Sequence, residues 1–118
     1  MEYLNTEHER RFHELLMEDD TSAWDRERQS LFYILAGNGD LYQKKHGIYD
    51  TENHCIIQCL TGKRRSIDLS GGARALVQLG FNLYNGRNQK ETGISDIFWN
   101  LDEQNQRLAL NAIKVRFM

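Results

Sequence analysis

His46, His54, Cys55 and Cys59 are the one cluster of metal-ligating side chains in this sequence of 118 residues, and zinc binding is the chemistry such a set would support. Zinc ligands are spaced about two to four residues apart on a knuckle, or about four apart on a helix, so that all reach one ion. The run from Cys55 to Leu60 instead reads as a strand. On a strand Cys55 and Cys59 would lie about 13 Å apart at ~3.3 Å per residue, facing the same way but unable to share an ion. That separation also excludes a disulfide between them. The expectation is a pair of buried structural thiols, no metal site and no cofactor.

Nucleophilic chemistry would need Ser66, Asp68 and His54 to converge, and alternation along a strand does put Ser66 and Asp68 on one polar face. A Gly-x-Ser-x-Gly elbow is absent, and nothing around Cys59 and His46 marks an activated thiol. A Mg²⁺-dependent nuclease would need convergent carboxylates with a nearby lysine, and no Asp/Glu-x-Lys follows Asp68. Glu18-Asp19-Asp20 reads as a solvated helix end. Ser70-Gly71-Gly72 could receive an anion at a helix start, but without a P-loop or Gly-x-Gly-x-x-Gly pattern it reads as a tight strand-to-helix connection. No catalytic residue is assigned, and the chain is read as non-enzymatic.

The strongest positive feature is the basic cluster Lys63-Arg64-Arg65, joined by Lys44 and Lys45 if folding brings them together. Such a tip can contact phosphates or an acidic protein surface. Trp24, Tyr42, Tyr49 and Trp99 are the aromatic candidates for anchors, and Trp99 is the first choice because Phe98 and Leu101 can serve the core without it. The segment around Gly37-Asn38-Gly39 imitates a helix-turn-helix, with a second helix too short to read bases well.

These side chains must be positioned by elements that the periodicity defines. Thr6 and Glu9 suggest a capping box for a helix from Glu7 to Met17, with Phe12, Leu15 and Leu16 inward. A second helix starts at Thr21 or Ser22, carries Trp24, Leu31, Phe32, Ile34 and Leu35, and stops at Gly37-Asn38-Gly39. A short helix follows over Asp40 to Lys45. Cys55 to Leu69 reads as a β-hairpin turning at Thr61-Gly62-Lys63-Arg64. A strongly apolar helix over about 70–85 is expected to be buried at the centre, its polar stripe being Arg74, Gln78, Asn82 and Asn85. Arg87 to Gly93 connects it to a segment capped by Ser95. Asp102 caps a last helix that turns Leu108, Ala112, Ile113, Val115 and Phe117 inward. The fold class is α+β, mostly α: a single globular domain over 1–118, wrapped around one central helix with one short hairpin.

Composition narrows the function classes. Fifteen basic and 17 acidic side chains give a formal charge of -2, so no global positive excess draws the chain onto nucleic acid or anionic membranes. No run approaches the roughly 20 apolar residues of a membrane span, and Met1 to Asn5 lacks a signal peptide's regions. A cytoplasmic location is expected. Proline is absent, which leaves turns to glycine and asparagine.

Asp25-Arg26-Glu27-Arg28 through Leu31 to Leu35, Gly37-Asn38-Gly39-Asp40-Leu41-Tyr42, Leu79 to Gly86, and the ending Leu101-Asp102-Glu103 to Phe117 together resemble a family of small proteins known only as a domain of unknown function, found in Gram-positive bacteria and their phages and mobile elements. The resemblance covers most of the chain and brings no catalytic residues. It implies a mobile-element accessory that binds and disables a bacterial protein. The expected function is therefore a protein-binding inhibitor of a bacterial partner such as a CRISPR-type defence nuclease, with Lys63, Arg64, Arg65, Lys44, Lys45 and Trp99 as its contacts. The alternatives are a nucleic-acid-binding regulator using the same basic tip and a small enzyme with a metal or thiol centre.

Overall fold

In the computed structural model, residues 1–57, 67–86 and 93–118 are described. Asn5 rather than Thr6 opens the first helix: its side-chain oxygen accepts from the His8 amide at 2.8 Å, and α1 spans Thr6–Asp19. Asp20 ends it in the left-handed conformation, φ 56°, and its N–H returns to Leu16 and Met17. His8, Phe12, Leu15 and Asp19 form the buried stripe, spaced four, three and four residues apart.

The second helix starts later than its apolar pattern suggests. Asp25 accepts from the Arg28 amide at 3.0 Å, and α2 spans Arg26–Gly37. Ser22, Ala23 and Trp24 lie in the connection, where Gln29 donates to the carbonyls of Ser22 and Ala23. Trp24 is consequently outside the helix and in solvent, not on an apolar face. Asn38 then closes α2 and caps α3, Gly39–Gln43, by accepting from the Leu41 amide at 3.1 Å. A 3₁₀ turn, Lys45–Gly47, leads into β1, Tyr49–Asp50, which pairs antiparallel with β2, Cys55–Ile56, in the register Tyr49 to Ile56 and Asp50 to Cys55.

This hairpin is the short one the fold class requires, but its partner strand precedes Cys55. Asp50 directs the turn, accepting from the amides of Glu52 at 2.9 Å and Asn53 at 3.2 Å, an Asx-type closure that a turn of Asp, Thr, Glu and Asn supports. Residues 58–66 of the expected hairpin lie outside the described residues, and Ile67 to Ser70 approach the next helix without regular pairing.

Ser70 caps α4, Gly71–Asn85, accepting from the Ala73 amide at 3.2 Å, and Gly86 ends it at φ 74°. The helix buries Ala73, Ala75, Leu76, Val77, Leu79, Phe81 and Leu83. Its polar stripe faces outward, with Arg74 and Asn85 exposed and Gln78 and Asn82 half-buried. Ser95 does not cap the next helix: Gly93 is the residue before α5, Ile94–Trp99, and no side chain caps it. Asp102 caps α6, Glu103–Phe117, as the sequence indicates, accepting from the Asn105 amide at 2.9 Å. Leu108 and Ala112 are buried and Ile113 and Val115 partly so, but Phe117 is exposed. At ~100° per residue, two positions beyond Val115 carry Phe117 to the opposite side of the helix.

Among the described residues the elements are helical apart from the strand pair, so the fold is α+β, mostly α. Its organising member is α2. Every residue from Ser30 to Ala36 is buried, and α2 packs against α1, α3, α4 and α6, whereas α4 packs against α2, α5 and α6. The apolar cylinder over 71–85 is thus one wall of the core, with α2 running through the middle. Two close approaches need missing side chains. A Cβ on Gly37 would stand 2.3 Å from a Leu108 methyl, and one on Gly80 would stand 2.9 Å from a Leu31 methyl, so glycine lets α6 and α4 settle onto α2.

Candidate functional site

The most elaborate polar centre gathers around Asp19, whose carboxylate is completely buried. Position 19 continues the inward stripe of α1, and the acidic run that reads as solvated sends one of its members into the protein. Tyr49 donates its hydroxyl to Asp19 Oδ1 at 3.0 Å, His54 Nδ1 donates to the same oxygen at 2.8 Å, and Thr21 Oγ1 donates to Oδ2 at 2.6 Å. Arg28 lies 3.6 Å from Oδ2 and 3.4 Å from Asp25. Burial, followed by the nearby Asp19 carboxylate, pushes the Tyr49 phenol well above its ordinary range. His54 is held with φ 55° at the end of the β-turn, and its carbonyl accepts from Tyr84 at 3.4 Å and Arg28 at 3.5 Å. One carboxylate therefore ties together the end of α1, α2 and the hairpin.

His54 finds its acid in Asp19, not Asp68, which is exposed; Ser66 lies outside the described residues, so only two members of the imagined triad can be placed. The hydroxyls bound to Asp19 belong to Tyr49 and Thr21, and both donate to the carboxylate instead of a histidine, which is not how a hydroxyl is activated. His46 is exposed, with Nδ1 3.7 Å from Glu18. Cys55 is exposed where a buried thiol was expected, because its place at the end of a two-residue pairing leaves no layer to cover it; Cys59 lies outside the described residues. Among the described residues no three His, Cys, Asp or Glu side chains are placed to hold a metal ion.

Of the expected contacts, Lys63, Arg64 and Arg65 lie outside the described residues. Lys44 is drawn back onto the protein, 3.0 Å from Asp40 and donating to the Asp68 carbonyl. Lys45 stacks on the Tyr42 ring, its Nζ 4.0 Å from the centroid, while Arg11 covers the same ring at 4.7 Å and Glu14 accepts from its hydroxyl at 2.7 Å. Burial and then Glu14 push the Tyr42 phenol up to about 12. Both lysines thus have local work in the fold. The helix-turn-helix imitation ends in a helix of five residues with Leu41 fully buried, which leaves no recognition helix there.

Trp99 is where the sequence argument wants it, 90% exposed, and Trp24 is 91% exposed. Each stands at a groove. Trp99 lines one of about 430 Å³ together with Arg74 and Gln78 from α4, Ser95 and Asp96 from α5, and Asn100 just beyond it. Trp24 lines another of about 440 Å³ with Asp25, Arg26, Glu27, Arg28, Tyr84 and Arg116. A third groove, of about 400 Å³, runs between α2 and α6 and shares Arg26 with the second. The sequence signal for Trp24 was its place just before an Asp-Arg-Glu-Arg helix start, where a cap must sit and the helical face has not yet begun.

A model of a family of unknown function matches residues 1–118. The chain belongs to DUF6075. Membership of DUF6075 extends the resemblance over the full length of the sequence without assigning a role to any residue. No curated protein and no solved structure matches the chain. Among the described residues no helix is long and apolar enough to cross a membrane.

Proposed function

We propose that this DUF6075 chain is a non-enzymatic protein-binding module, a phage or mobile-element accessory acting in the bacterial cytoplasm to inhibit a host protein such as a defence nuclease. The observation that supports this most is the exposure of both tryptophans, 91% and 90%. Burying an indole would remove roughly 200 Å² from water, a gain of several kcal/mol at ~25 cal/mol per Å², which folding leaves uncollected at each site. Tryptophan and arginine are the residues on which interfaces most often depend, and each tryptophan here stands beside arginine in a groove. The Asp19 centre, by contrast, is knit into the packing of three elements, as a structural network would be.

The test is affinity capture from bacterial lysate with the wild type, Trp24→Ala, Trp99→Ala and a Lys63→Ala/Arg64→Ala/Arg65→Ala variant. The expected result is a discrete partner that at least one tryptophan variant fails to retain while keeping its thermal stability. Equal recovery by all four proteins would overturn the reading. Saturable binding of an oligonucleotide that falls steeply with salt and depends on Lys63 to Arg65 would replace it with the nucleic-acid regulator.

A further inference from the structure

We propose that the groove between the first half of α2 and the last half of α6 accepts an acidic amphipathic helix of a partner protein; this rests on the protein-binding reading above and names the partner's chemistry. Ala23, Gln29, Asn111 and Val115 line the groove, Arg26 and Lys114 stand at it as exposed cations, and Glu2 is the one carboxylate residue in its lining. The ion pairs among the described residues engage Arg10, Arg11, Arg28, Lys44, His46 and His54, and neither Arg26 nor Lys114 takes part in one.

Two features of this surface are unexplained by folding. Lys114 and Arg116 complement the dipole at the end of α6, but Arg26 occupies the first turn of α2, the positive end, where a cation is disfavoured. The outer face of α6 also runs Arg107, Leu110, Lys114, Phe117, alternating cation and apolar side chain at spacings of three, four and three, with Leu110 and Phe117 both exposed. Lys114 belongs to both this stripe and the groove, and exposed Met118 extends the apolar surface at the groove. Beyond Glu103 the helix carries no carboxylate.

Such a face is complementary to a helix with leucine-like side chains along one stripe and carboxylates flanking it, the helix-in-groove mode of recognition. A second copy of this chain fits poorly, because two α6 faces would oppose Arg107 and Lys114 with cations of the same kind. A phosphate backbone would satisfy the cations but leave the exposed Leu110, Phe117 and Met118 side chains uncovered.

The experiment is fluorescence polarisation with labelled synthetic helices of about five turns, carrying Leu at helical spacing with flanking Glu, beside scrambled peptides of the same composition. The full chain is compared with Arg26→Glu/Lys114→Glu, both exposed positions, its fold checked by circular dichroism. The amphipathic helix should bind saturably, the scramble roughly tenfold or more weakly, and the charge reversal should weaken binding by roughly tenfold or more, with recovery when the peptide's Glu residues become Lys. Indifference to peptide order, unchanged affinity of the reversed variant, or a single-stranded oligonucleotide outcompeting the peptide would overturn the assignment. If lysate capture depends on Trp99 but not on Arg26 and Lys114, this groove is refuted and the protein-binding reading stands. If it depends on none of Trp24, Trp99, Lys63 to Arg65, Arg26 and Lys114, both fall.

Discussion

Asp19→Ala should be the most damaging single substitution at a polar position. It removes the acceptor of three hydrogen bonds, those of Tyr49, His54 and Thr21, at 3.0, 2.8 and 2.6 Å. His54 and Thr21 are partly accessible and can turn to water, and Arg28 retains Asp25, so their losses are partly recovered. Tyr49 is buried and cannot, and a buried polar group left without a partner costs about 1–3 kcal/mol. Adding the charge-assisted bond lost from His54 gives a destabilisation of about 2–4 kcal/mol. For a domain of this size that lowers Tm by roughly 8–16 °C. Urea unfolding followed by circular dichroism measures it, and the double-mutant cycle with Tyr49→Phe isolates the pair. With the hydroxyl already gone, Asp19→Ala should cost less by about 1 kcal/mol or more. A loss below about 1 kcal/mol, or strict additivity with Tyr49→Phe, would show that this carboxylate does not hold the hairpin to the helices.

Three other outcomes follow from the geometry. Gly37→Ala should destabilise by about 1–3 kcal/mol, measured by the urea midpoint, because its Cβ must displace the Leu108 methyl 2.3 Å away and both side chains face the buried α2/α6 contact. Ser70→Ala should cost about 1 kcal/mol through loss of the α4 cap, whereas Ser95→Ala, which caps nothing, should stay within about 0.5 kcal/mol. His8 accepts from the Leu4 amide at 3.1 Å and donates to the Tyr33 carbonyl at 2.9 Å, so it is neutral when folded, and burial lowers its pKa from 6.5 against the raising effect of that carbonyl. The unfolded chain therefore binds a proton that the folded one resists, and stability should fall as pH drops below about 6.5 until the folded group also titrates. The slope of unfolding free energy against pH over that window should flatten in His8→Gln, and an unchanged slope would mean that His8 is not its source.

Much of the fold was legible because it is local. Asp102, Ser70 and Asn38 begin helices by accepting from amides a few residues on, and Gly86 ends one by donating its N–H to the Asn82 carbonyl, so their types and positions suffice to place α3, α4 and α6. The place of Trp24 has a local cause too: an apolar residue in phase with a helix reads as part of it, but Asp25, one position later, takes the cap. Exposed Trp99 was anticipated because neighbouring Leu101 supplies the core and Phe98 packs partly against it.

What the sequence alone determined was therefore the helical composition, the capped starts of α4 and α6, and the presence of a short hairpin, all consequences of periodicity and of amides seeking nearby oxygens. Tertiary structure decided which helix lies in the middle, that Asp19 is inside while its neighbours are outside, that Tyr49 and not a later residue begins the strand pair, and that Arg26 and Lys114 share one groove. Those outcomes depend on groups 30 to 88 positions apart meeting across packed surfaces, as Asp19 meets Tyr49 and Arg26 faces Lys114, and no local rule of hydrogen bonding or hydrophobic phase carries information over that distance.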